Sequence, residues 1–234
     1  MTLLKFKPVF LALLLTVPMG GCIESQSVSQ AVPFERNELD ACLAIVIDMS
    51  GSFAESWDDR AYHLFLDLSE QYFTEAMGTE NRLVISQLSG NERVVLFDGR
   101  PSDLQRKFSS PETLDAFLKA HSDPRRSRVY DAMTKTIDYV SSMSGVSDRT
   151  RMMTVVLSDM GDSESEDAAR IASGRRMIES LTKYQQRGGG LALYFVATEE
   201  NTRWEQIMAA SGFQPGHFII ENELNSTPQL PRFD

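Results

Sequence analysis

The chain has 234 residues, 42% apolar and 24% charged, and a formal net charge of -10 at pH 7. That length supports one α/β domain with a full core and short extensions, and the composition excludes disorder as the default for its body. So acidic a chain lacks the excess of cations needed to displace counterions from nucleic-acid phosphates, and its two cysteines, Cys22 and Cys42, form neither a disulfide framework nor a metal-ligand spacing.

The first thirty residues read as an address. A basic stretch from Met1 to Lys7 leads into an apolar one from Val9 to Pro18, too short for the roughly 20 residues a membrane-spanning helix requires. Gly20 and Gly21 then precede Cys22, and Met19-Gly20-Gly21-Cys22 resembles a bacterial lipobox. The resemblance implies a signal peptide over residues 1–21 and a lipid, such as palmitate, on Cys22. It places the chain at the bacterial cell envelope; in a cell with two membranes, Ile23 and Glu24 after the cysteine favour the outer one, facing the periplasm, over the inner. Residues 22–37 are polar and rich in Ser and Gln, the composition of a flexible tether. A domain over 38–222 and a tail over 223–234 complete the expected organisation.

Cys42 to Ile47 is a continuous apolar run, the pattern of a strand buried on both faces, with Cys42 packed as a small hydrophobe. Glu55 to Met77 carries apolar residues at helical spacing and is closed by Gly78. Arg82–Leu88 and Arg93–Phe97 flank Ser89-Gly90-Asn91 and predict a hairpin. Helices are predicted from Ser110-Pro111 to Ala120 and from Val129 to Met143. Met152–Leu157 predicts a second buried strand, Glu164–Gln186 a long helix stopped at Gly188-Gly189-Gly190, and Leu191–Ala197 a third buried strand. A short helix over Thr202–Ala210 and a last strand over His217–Ile220 follow. This alternation predicts an α/β fold with a mostly parallel central sheet, one antiparallel edge strand and helices on both faces.

The chemistry concentrates after the first buried strand. Asp48, Ser50 and Ser52 alternate in sequence, so in extended backbone their oxygens point the same way, and Gly51 permits a tight turn between them. In open α/β sheets ligands bind beyond the carboxyl ends of the strands, and Asp159, ending the second buried strand, is expected at the same edge. Ser127 lies in the loop entering the Val129 helix, another connection able to cross that edge. All five are oxygen donors, which suits Mg2+ first, or Mn2+ or Ca2+, rather than zinc or copper.

Asp48-x-Ser50-x-Ser52 resembles the first metal-ion-dependent adhesion motif (MIDAS) of von Willebrand factor A (VWA) and integrin I domains. Ser127-Arg128-Val129-Tyr130-Asp131-Ala132-Met133 is similar to the family's Thr-x-apolar-Tyr-Asp-Ala-Leu segment, with Ser127 at the metal-binding Thr, and Val155–Asp159 resembles the strand ending in its third motif. Met160 stands where the family has Gly. The resemblance spans about residues 40–220. It implies a Rossmann-like sheet, one divalent cation held by Asp48, Ser50, Ser52, Ser127 and Asp159, and binding of a protein partner through an acidic side chain. No catalytic residues are expected: there is no nucleophile-elbow or phosphate-loop motif, and His63, His121 and His217 are scattered. The alternatives are a structural subunit of an envelope assembly with an unused metal site and, more remotely, a metal-dependent hydrolase. The basic run Pro124-Arg125-Arg126-Ser127-Arg128 reads as a solvated loop or a contact for an acidic partner, and the acidic run Asp159–Asp167 as a helix start or a second cation site.

Overall fold

A computed structural model describes residues 38–54, 59–76, 78–89, 93–222 and 228–232, all within the unit Arg36–Asp234. Cys22, the signal peptide and the tether lie outside the described residues. Among the described residues no helix is long and apolar enough to cross a membrane.

Six strands form one sheet in the order β3-β2-β1-β4-β5-β6. β1 (Ala41–Ile47), β4 (Arg151–Leu157) and β5 (Gly190–Tyr194) occupy its middle, and nearly every residue in them is buried, as their largely apolar runs require; the buried Thr154 of β4 donates its hydroxyl to Tyr184 Oη at 3.1 Å. β2 (Asn81–Gln87) and β3 (Val95–Gly99) pair antiparallel, with a bulge between Ile85 and Ser86; the other pairings, out to β6 (Phe218–Glu221), are parallel. The hairpin and the antiparallel edge are those expected from the sequence.

Alternate residues of β1 feed two cores. Leu43, Ile45 and Ile47 pack with Leu64, Phe65 and Leu68 of α2 (Asp59–Ala76), while Cys42, Ala44 and Val46 join Met133 and Ile137 of α5 (Val129–Ser142). The first core also takes Leu104 of α3 (Pro101–Lys107) and Leu114 and Leu118 of α4 (Pro111–His121). The second takes Met177 and Leu181 of α6 (Asp167–Gln186) and Trp204 of α7 (Thr198–Ala210). Cys42 is buried and unpaired, and desolvation pushes its thiol up to about 12.

Some element boundaries differ from expectation. α1 (Gly51–Ala54) opens directly after the Asp48 loop. α3 has no counterpart in the sequence reading, because one buried leucine makes no periodicity; its start is set by Pro101 and by Asp103, whose carboxylate accepts the Arg100 amide at 3.0 Å. α6 begins three residues later than expected, since local turns hold the preceding acidic segment. β5 stops at Tyr194 because Phe195 turns left-handed (φ 68), and α7 starts early, at Thr198. Part of the expected tail packs back: Pro228 and Pro231 are buried, Leu230 joins the first core, and the Arg232 amide donates to the Gly216 carbonyl at 2.8 Å.

Candidate metal centre

Chain direction creates the opening. From β1 the chain crosses to β2 on one side, and from β4 to β5 on the other, so the loops leaving these adjacent strands part. Ile47 pairs with Leu157 in register, which sets Asp48 beside Ser158 one residue later.

Asp48 is 0% exposed. Its Oδ1 accepts the Ser50 amide at 2.8 Å, an Asx turn that curls the loop toward α1. Its Oδ2 accepts the Ser158 hydroxyl at 2.7 Å and the Ser127 hydroxyl at 3.4 Å. Ser158 Oγ in turn accepts the Met160 amide at 2.8 Å. Ser127 is 5% exposed and Ser50 8%. The acidic segment after β4 is a chain of such turns: Asp159 Oδ1 accepts the Gly161 amide at 3.0 Å and Asp162 Oδ1 the Glu164 amide at 2.8 Å. Asp162 Oδ2 accepts the Tyr130 amide at the start of α5 at 3.2 Å, and the Ser163 amide donates to the Ser127 carbonyl at 2.8 Å. These bonds tie the third loop to the second.

A pocket of about 390 Å3 opens here, with Ser50, Ser127, Asp159 and Asp162 in its wall beside Arg125 and Arg126. Of the five side chains singled out in the sequence, Asp48 and Ser127 touch, and Ser50, Ser127 and Asp159 share this pocket. Ser52 lies in α1, and its side chain is outside the described residues. Ser158 was not singled out, and Asp162 entered only as one member of the acidic run Asp159–Asp167. A serine after a buried strand carries no pattern of its own; only the β1–β4 register places it against Asp48.

The local electrostatics are unbalanced. Burial raises the Asp48 carboxyl above its ordinary value and the Asp159 charge pushes the same way, against hydrogen bonds from Ser158 and Ser50. None of the ion pairs among the described residues involves Asp48. Glu200, at the start of α7, is also raised, first by burial, with the charges of Asp159 and Asp162 adding to it. A buried carboxylate without a counter-charge is costly unless paired or metal-bound. Among the described residues no cluster of three or more His, Cys, Asp or Glu suited to a metal occurs. This donor set is of another kind, two carboxylates and hydroxyls, which fits a hard divalent cation and no soft one.

Met160 occupies the left-handed region (φ 65) where the family resemblance calls for glycine. A side chain there costs about 1–2 kcal/mol. Met160 is nonetheless buried in the second core, which contributes about 1.5–3 kcal/mol and offsets the strain.

No family model and no curated protein matches the chain. Among solved structures, it is similar to manganese-loaded TRAP protein from Plasmodium vivax (TM-score 0.50, 11% identity, covering 80% of this chain and 70% of that one). The fold is VWA-like. It is also similar to the N-terminal domain of TFIIH p34 (TM-score 0.52, 13% identity, 82% of this chain and 94% of that one) and to the open conformation of the pilus adhesin SpaC from Lactobacillus rhamnosus GG (TM-score 0.51, 11% identity). The SpaC match covers 80% of this chain but 28% of the adhesin, so the chain spans less than a third of that protein's length. At these identities the likeness is one of fold. The VWA-like frame supplies the parted loops at the β1–β4 edge; the chemistry there is set by this chain's own residues.

Proposed function

We propose that the domain binds a protein partner through one divalent cation, Mg2+ first, held by Asp48, Ser50, Ser52, Ser127 and Asp159, on a chain tethered to the bacterial envelope by a lipid on Cys22. The observation that carries this reading is the fully buried Asp48 carboxylate, facing hydroxyls at a pocket and outside every ion pair of the described residues. A cation bound there supplies positive charge and an open coordination position for a partner's carboxylate oxygen. Ser158 and the Ser50 amide hold the Asp48 oxygens in place; Ser127 presents its hydroxyl from the start of α5. The similarity to a pilus adhesin and to a protein whose structure is manganese-loaded supports adhesion, a metal and an extracytoplasmic setting.

Titration calorimetry of the purified chain with Mg2+, Mn2+ and Ca2+ tests the site. Uptake of one ion per chain, lost in Asp48→Ala, is expected; no uptake of any of the three refutes it. Capture of envelope proteins, eluted by EDTA and lost in the same variant, tests the function. Capture that survives both makes the domain a structural subunit instead.

A further inference from the structure

Two guanidinium groups at the candidate pocket are unmatched. Arg125 and Arg126 are exposed and line the pocket alongside Asp159 and Asp162. Arginines elsewhere, Arg82, Arg100, Arg176 and Arg203 among them, pair with carboxylates. Arg128, in the same loop, lies 4.0 Å from Glu164. The side chains of Arg125 and Arg126 enter no hydrogen bond or ion pair among the described residues; only their amides are engaged, with Asp123 Oδ1 at 3.0 Å and the Asp123 carbonyl at 3.2 Å.

Their loop is nevertheless fixed to the site. The Gly51 amide donates to the Pro124 carbonyl at 2.9 Å, the Asp123 amide to the Ser89 carbonyl at 3.2 Å, and the Arg128 amide to the Leu88 carbonyl at 3.0 Å. The arginine backbone is thus pinned to the loop bearing Asp48 and to the end of β2. Asp162 makes no ion pair with the two arginines, having an amide on each oxygen, but it keeps its charge and offsets one of the two. A divalent ion would balance Asp48 and Asp159, and with Asp162 counted against the two arginines the loaded pocket keeps one surplus positive charge, carried on the guanidinium rim.

We infer that Arg125 and Arg126 form an anion-receiving rim and that the partner is an acidic protein segment bearing at least two neighbouring carboxylates, one for the cation and one for the arginine pair. Guanidinium forks match carboxylates in geometry as well as charge. The assignment of the first carboxylate rests on the proposed metal site; the arginine rim stands without it.

The probe is fluorescein-labelled hexaglutamate, read by anisotropy against the purified chain in Mg2+ and in EDTA. Arg125→Ala/Arg126→Ala is compared with Arg149→Ala/Arg175→Ala, which removes the same charge from exposed sites elsewhere. The rim variant is expected to weaken binding about tenfold more than the control, with unchanged Mg2+ uptake by calorimetry and unchanged melting. Binding in EDTA that is weaker but still lost in the rim variant supports the rim separately from the metal. Equal losses in the two variants overturn the inference and leave the metal reading intact. Failure of Mg2+ uptake with rim-dependent binding retained does the reverse. No hexaglutamate binding in either condition, or tighter binding of a heparin hexasaccharide, overturns the assignment to a protein carboxylate.

Discussion

Replacing Asp48 by Asn should make the metal-free domain more stable and the metal-loaded one less so. The asparagine keeps the shape and the Oδ1 that accepts the Ser50 amide, and its amide nitrogen faces the Ser158 and Ser127 hydroxyls. What disappears is a buried charge. Removing a carboxylate from water costs several kcal/mol; the two short bonds, at 2.8 and 2.7 Å, return about 1.5–3 kcal/mol each, and the Ser127 contact at 3.4 Å adds little. Asp159 adds repulsion. The charge is therefore left under-compensated, and Asp48→Asn should gain roughly 1–2 kcal/mol without metal, a rise in Tm of about 2–8 °C. At about 100 times its Kd a cation adds about 2.7 kcal/mol to the native chain and nothing to the variant. Melting curves in EDTA and in saturating Mg2+ should therefore cross: variant higher in the first, lower in the second. The sign with pH follows from the raised carboxyl. The folded form holds its proton more tightly than the unfolded, so this group's contribution is full below the unfolded value and is lost as pH rises through the folded one. In EDTA that loss should be absent from Asp48→Asn. A variant that melts below the native chain in both conditions refutes the argument, and would mean that the hydrogen bonds outweigh the stranded charge.

Ser158→Ala removes the shortest bond to Asp48 and orphans the Met160 amide, so it should cost about 2–4 kcal/mol in urea denaturation of the metal-free chain. Gly78→Ala should cost about 1–3 kcal/mol, because its Cβ would sit 2.2 Å from Asp40 Cβ; an unchanged urea midpoint refutes it. Hydrogen bonds from the Glu80 and Thr79 amides hold the Asp40 carboxyl below its ordinary value of 3.8. Its stabilisation is thus present above about that pH and lost as pH falls through the lowered value, so Asp40→Asn should flatten the acid limb of the pH–stability curve. Met160→Gly relieves the left-handed strain but empties a core position, for a net loss of about 0.5–1 kcal/mol by thermal melting.

What could be read from the residues was whatever burial writes as composition. The runs from Cys42 to Ile47 and, but for Thr154, from Met152 to Leu157 are apolar without alternation because helices cover both faces of β1 and β4, and the turn chemistry of Ser89-Gly90-Asn91 announced the antiparallel edge. Asp48, Ser127 and Asp159 were legible because each follows or precedes an element whose end could be recognised. α3 was not, having only Leu104 in the core, and neither was the early end of β5, which depends on one left-handed residue, Phe195. The delayed start of α6 escaped for a related reason. Asp159, Asp162 and Glu164 have ordinary helix-start chemistry, but each spends a carboxylate oxygen on an amide two residues on, holding the chain in turns until Asp167. Ser158 required the pairing of two distant strands, which no local pattern contains.

The matched lengths of β1 and β4 have a further consequence. Both run seven residues and pair in step from Ala41 and Arg151 to Ile47 and Leu157. They act as rulers laid side by side, and the chemistry stands where both run out. Deleting a single residue from either would leave the layers recognisable but slide Ser158 past Asp48 by about 3.3 Å, beyond hydrogen-bond reach, and turn the inward residues of that strand to the other core. Strand length here is thus part of the site's specification, as much as the identity of any oxygen in it.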